Sequence, residues 1–215
     1  MKRLVSIGVL ALTLLLPAAA LADTLDFVKL GKGRGVGLTI NGDSFTGWAG
    51  EINWLHSDDG GHFVDFVTTY CADLFDDAFH HQIVAVETTT SMTPPFNPLN
   101  SVAGGPGKVA WLVNKYGSAG TDDEAAALQV AIWQVLFAGG NFTITASDAI
   151  MQLALGYINS IDGNTSVAIY FDAKPDQGQD QIARVPEPAT ILLLGFAVTA
   201  TFGNRRRSKL RHCSN

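Results

Sequence analysis

Basic residues are scarce in the body of this chain. Of its 215 residues, 14 are Lys or Arg and 20 are Asp or Glu, for a formal charge of −6. Half of the basic residues sit at the two ends. Residues 23–184 keep seven (Lys29, Lys32, Arg34, Lys108, Lys115, Lys174 and Arg184) against 19 acidic ones, a charge of 7 − 19 = −12. Phosphate backbones are held by Lys and Arg, so this balance excludes nucleic acid as a partner. Cysteine is almost absent. Cys71 and Cys213 are the two in the sequence, too few for a disulfide framework. There is no internal repeat and no low-complexity linker. What remains is one domain's worth of chain, apolar and patterned enough to bury a core.

The two ends differ from the middle. Residues 1–22 open with Lys2 and Arg3, continue through an apolar run from Leu4 to Leu16, and end in Ala20-Leu21-Ala22. A charged start, a short apolar stretch and a small-residue finish are the layout of a secretory signal peptide cleaved before Asp23. Residues 185–215 begin with Val185-Pro186-Glu187-Pro188. The apolar segment Ala189–Gly203 follows, then Arg205, Arg206, Arg207, Lys209 and Arg211. As a helix the apolar segment spans about 22 Å, short of a ~30 Å hydrocarbon core, so it crosses only with help from its flanks. The basic cluster then stays cytoplasmic and the middle is exported. This tail resembles the PEP-CTERM sorting signal of Gram-negative bacteria. The resemblance implies processing near Val185–Pro188 by the membrane transpeptidase exosortase. It further implies transient tethering at the inner membrane, then placement at the cell surface or in an exopolysaccharide matrix.

The exported middle, residues 23–184, reads as α+β, an antiparallel sheet or sandwich with an inserted helical block of two to three helices. Leu25–Leu30, Val36–Ile40, Phe45–His56, Phe63–Tyr70, Gln82–Thr90 and Thr165–Asp172 have strand character, with Asn41-Gly42-Asp43 as a hairpin turn. Pro94–Pro106 reads as a loop. Lys108–Tyr116, Thr121–Ala138 and Ser147–Asn159 read as helices, the second opened by the capping box Thr121-Asp122-Asp123-Glu124.

Two residues raise a chemical question. Cys71 is the single cysteine of the exported part, so it has no internal partner for a disulfide. Gln129 sits inside a helix that is apolar nearly all round, with Ala125 and Trp133 on its own face. A buried carboxamide needs two acceptors and a donor, and leaving it unpaired costs about 1–3 kcal/mol. Attack of the Cys71 sulfur on the Gln129 side chain, with loss of ammonia, would answer both needs by forming a γ-glutamyl thioester. Tyr70-Cys71-Ala72-Asp73 and Leu128-Gln129-Val130-Ala131-Ile132-Trp133 resemble the two halves of the thioester domain of bacterial surface adhesins, with Leu128 standing where that family usually has Thr. The resemblance implies a Cys71–Gln129 cross-link with Tyr70 and Trp133 packed around it. An amine or hydroxyl of a surface polysaccharide or protein would open it once, a coupling rather than enzymatic turnover. The alternative is a non-covalent matrix or carbohydrate-binding protein of the same fold. A third reading pairs Cys71 with His80 or His81 as a hydrolase, without a third partner.

Other patterns are weaker. Gly31, Gly33, Gly35 and Gly37 alternate but lack the spacing of a phosphate loop. His56, His62, His80 and His81 fit no zinc pattern. Asp58-Asp59, Asp76-Asp77 and Asp122-Asp123 lack EF-hand spacing for calcium. No metal or cofactor is expected. Trp48, Trp54 and Trp111 are candidates for stacking on sugar or for the core.

Overall fold

A computed structural model describes residues 23–58, 65–74, 82–90, 105–138, 142–174 and 178–185. The signal-peptide segment, most of the Pro94–Pro106 stretch, His62, His80, His81 and the tail from Pro186 onward lie outside the described residues. Seven strands and three helices follow in the order β1 (Asp23–Ile40), β2 (Asp43–Ser57), β3 (Asp65–Cys71), β4 (Ile83–Thr89), α1 (Gly105–Tyr116), α2 (Asp122–Leu136), β5 (Phe142–Thr145), α3 (Asp148–Asn159), β6 (Ile169–Lys174) and β7 (Gln181–Ala183). The fold is α+β, as the pattern predicts, with the helical block between β4 and β6.

The strand order is β2-β3-β7-β6-β4-β1-β5, every pairing antiparallel. β1 also pairs with β2, so six strands close into a ring and β5 lies against the far half of β1. Closure leaves no open edge at the β1–β2 seam. Leu25, Phe27, Ile52, Trp54, Val84, Val86, Phe171, Ala173 and Ala183 fill the ring as one buried cluster. Side chains on the other face of the strands, among them Val36, Leu38, Tyr70, Tyr170 and Ile182, form a larger cluster with the three helices. The pleat explains the division. Thr69 and Tyr70 are neighbours on β3, yet Thr69 bonds Trp54 while Tyr70 packs under the helices.

Two predicted strands, Leu25–Leu30 and Val36–Ile40, are one. β1 runs through the glycine stretch, with register shifts at Phe27/Lys29 and Leu30/Gly33. The glycines there allow close approach: a Cβ on Gly33 would lie 2.4 Å from the Ala49 carbonyl oxygen. Asn41 and Gly42, at φ 54° and 97°, form the hairpin turn that their identity predicts. β5 and β7 have no counterpart in the sequence reading.

Candidate functional site

Cys71 ends β3. Its main chain is covered on one side by β7, where Ala72 N–H donates to Asp180 O at 2.8 Å and Cys71 aligns with Gln181. On the other side the ladder with β2 stops at Glu51–Tyr70, so the N–H and C=O of Cys71 lack a strand partner. The Gln129 side chain fills that place. Cys71 N–H donates to Gln129 Oε1 at 2.8 Å, and Gln129 Nε2 donates to Cys71 O at 2.8 Å. The carboxamide imitates the peptide group of a missing strand. Both residues are buried, Gln129 completely.

The helix can deliver this amide because of its composition. α2 starts at a complete capping box: Glu124 N–H donates to Thr121 Oγ1, and the Glu124 carboxylate accepts from Thr121 N–H. Asp122 and Asp123 sit in its first turn and pair with Arg34 of β1 at 3.0 and 2.8 Å. Ala125, Ala126 and Ala127 are completely buried and bring the helix close to the strands. Gln129 then stands one turn before Trp133, which is also buried.

The Cys71 sulfur turns along its own chain. It donates to Asp73 O and accepts from Asp73 N–H at 3.3 Å. Burial pushes the thiol pKa far above its ordinary value, and the Asp73 charge adds to that shift. The Trp133 indole N–H opposes it: it favours the thiolate but falls short of a hydrogen bond, so this donor is buried without a partner. The Tyr70 hydroxyl is likewise buried and unpartnered, and burial raises its pKa well above the usual phenol range. The four residues expected together, Tyr70, Cys71, Gln129 and Trp133, thus share one buried cluster or border it. Asp73 was missed. Its role depends on main-chain geometry that residue type does not reveal.

The remaining candidates separate. Trp54 is core, with its indole N–H on Thr69 Oγ1 at 2.9 Å. Trp48 and Trp111 are half-buried. Asp122 and Asp123 are engaged by Arg34. His56 lies between Asp23 at 3.7 Å and Asp58 at 3.5 Å, the one His and carboxylate cluster among the described residues with the spacing of a metal site. Asp23 was not anticipated there, because the β1–β2 pairing, not sequence proximity, brings it to His56.

Among the described residues no helix is long and apolar enough to cross a membrane. The predicted apolar span at 189–203 lies outside them. Val185 closes the described chain. Its N–H is held by Asn114 Oδ1 at 3.0 Å, and the Arg184 guanidinium donates to Ser118 Oγ.

No curated protein and no solved structure matches this chain. A family model does match its end: residues 184–207 fit the PEP-CTERM protein-sorting motif. The chain therefore carries an exosortase sorting signal, which implies export, processing and placement outside the cell or at its surface.

Proposed function

We propose that this is a surface or matrix protein that attaches to its partner through a Cys71–Gln129 thioester. The observation that carries the reading is the pairing of the Gln129 carboxamide with the main chain of Cys71 in a completely buried place. Proximity and exclusion of water are what this chemistry demands. In closure, the Cys71 sulfur bonds to Gln129 Cδ, the C–N bond breaks, and the nitrogen leaves as ammonia with the thiol proton. The raised thiol pKa makes proton transfer to that nitrogen part of the same step. An amine or hydroxyl of a polysaccharide or protein then attacks the carbonyl carbon and releases Cys71 as a thiol. Before processing, the apolar segment at 189–203 holds the chain in the inner membrane.

Intact mass of the purified domain tests the reading. The cross-linked form is lighter by one ammonia and gains methylamine on incubation, and Cys71→Ser and Gln129→Ala lose both effects. A second reading has its own support. The two hydrogen bonds give both polar atoms of the amide a partner, and Asp73 engages the sulfur, so the pair also serves as a non-covalent clasp between α2 and β3. An unshifted mass, with one free thiol titrating after unfolding, selects that reading and leaves a non-covalent matrix protein.

A further inference from the structure

The point where the tail leaves the domain is fixed. Asn114 of α1 holds the Val185 N–H, and Arg184 is bonded to Ser118 just past the end of that helix. Only Pro186, Glu187 and Pro188 separate Val185 from the apolar segment that starts at Ala189. Fully extended, the four steps from Val185 to Ala189 reach about 14 Å. A domain tethered by an inserted tail cannot stand off from the bilayer by more than this. Whatever surrounds Asn114 faces the lipid headgroups.

That surroundings has a composition of its own. Lys115 places its ammonium 4.4 Å from the Trp111 ring centre and 5.0 Å from that of Tyr116. Tyr116 stacks on Tyr157 of α3 at 4.2 Å. Trp111, Tyr116 and Tyr157 are half-buried, and Lys115 is exposed. Val167, whose carbonyl accepts from Asn114 Nδ2 at 2.7 Å, is 44% exposed. Tryptophan, tyrosine and lysine are the residues that settle at a membrane–water interface, apolar body inward and polar tip at the headgroups. Charge agrees. α1 contains no acidic residue and carries Lys108 and Lys115, with Arg184 beside its end, in a domain whose formal charge is −12. Of the acids, Glu124 has a charge that is felt by Tyr157. An anionic surface repels most of the domain and tolerates this face.

We propose that the face bearing Trp111, Lys115, Tyr116 and Tyr157 rests on the headgroups of an anionic phospholipid bilayer while the sorting tail is inserted. The proposal depends on the membrane-held tail of the preceding reading and is independent of the thioester. It orients the domain before processing, with the tail leaving at the contact face.

The test uses the full chain reconstituted into vesicles of phosphatidylethanolamine and phosphatidylglycerol. Benzoylphenylalanine is placed at Trp111, in a second variant at Val167, and as a control at the exposed Phe66 of β3. Carbonate extraction establishes whether the tail is inserted, and irradiation followed by mass spectrometry detects lipid adducts. The expected result is a carbonate-resistant chain with lipid adducts at 111 and 167 several-fold above those at 66, reduced by Lys115→Glu. Resistance without adducts at either position overturns the contact face and leaves the inserted tail standing. Release by carbonate overturns both. In cells, adducts at 111 to a protein instead of to lipid assign the face to that protein and overturn the lipid contact.

Discussion

The Gln129 amide does the work of a strand. Removing it leaves the Cys71 N–H and C=O unsatisfied in the interior, each at about 1–3 kcal/mol. Gln129→Ala should therefore lower the unfolding free energy by about 2–6 kcal/mol. Cys71→Ala keeps both main-chain hydrogen bonds and should cost less, about 1–2 kcal/mol. Denaturant titration of the two variants checks this order, and equal losses would mean that the pair stabilises only through a covalent bond. The thiol also sets a pH dependence. Its folded pKa is raised, so the stability linked to it is fully present below the ordinary thiol value near 9 and is lost as pH rises above it. In the uncross-linked protein stability should fall by about 1 kcal/mol between pH 9 and 10. Above pH 10 the raised phenols of Tyr70 and Tyr170 add slopes of the same sign. Cys71→Ala should remove the part between 9 and 10, and a closed thioester should remove it too. That Cys71 and Gln129 belong together was legible, because a lone thiol and a buried amide each lacked an account. The direction of the sulfur, toward Asp73, was not, since it follows from how the chain turns after β3.

At the scale of elements, β1 and β2 meet most tightly where β1 is irregular. Gly50 has φ +150°, and a Cβ there would lie 2.2 Å from the Lys32 carbonyl oxygen. Gly35, by contrast, has its nearest neighbour at 3.8 Å, a Thr46 methyl. Gly50→Ala should lower stability by about 1–3 kcal/mol or more, while Gly35→Ala should stay within about 0.5 kcal/mol, read as midpoints of thermal unfolding. The same contrast explains what the sequence disclosed. Local chemistry was readable wherever one or two residues decide the outcome: Asn41-Gly42 for the turn, Thr121 with Glu124 for the helix start, Ser147 for the start of α3. The alternating glycines read equally as a turn or as a glycine-rich strand, because nothing in them says that a facing strand needs the room. β5 and β7, at four and three residues, are too short for periodicity to register. β7 acquires its meaning only from β3 and β6 on either side.

For the whole molecule that short strand matters most. Gln181, Ile182 and Ala183 are all buried, and β7 bridges the β3 that carries Cys71 and the β6 that returns from the helices. Without it the ring opens between β3 and β6, and two strand edges lie bare. The Thr69 hydroxyl would also lose the nearer of its two acceptors, Gln181 Oε1 at 2.7 Å, and keep Ile52 O at 3.3 Å. The sorting motif begins within three residues of this strand, so the part of the chain that completes the barrel is also the part that delivers the tail. Processing that preserves the fold must then cut beyond Ala183. A chain ending after Val185 should retain cooperative unfolding and a Cys71 sulfur protected from alkylation. A chain ending after Asp180 should lose both, exposing Cys71 to alkylation under native conditions. Alkylation kinetics of the two truncations decide the matter, and protection of Cys71 in the shorter chain would mean that the ring closes without β7.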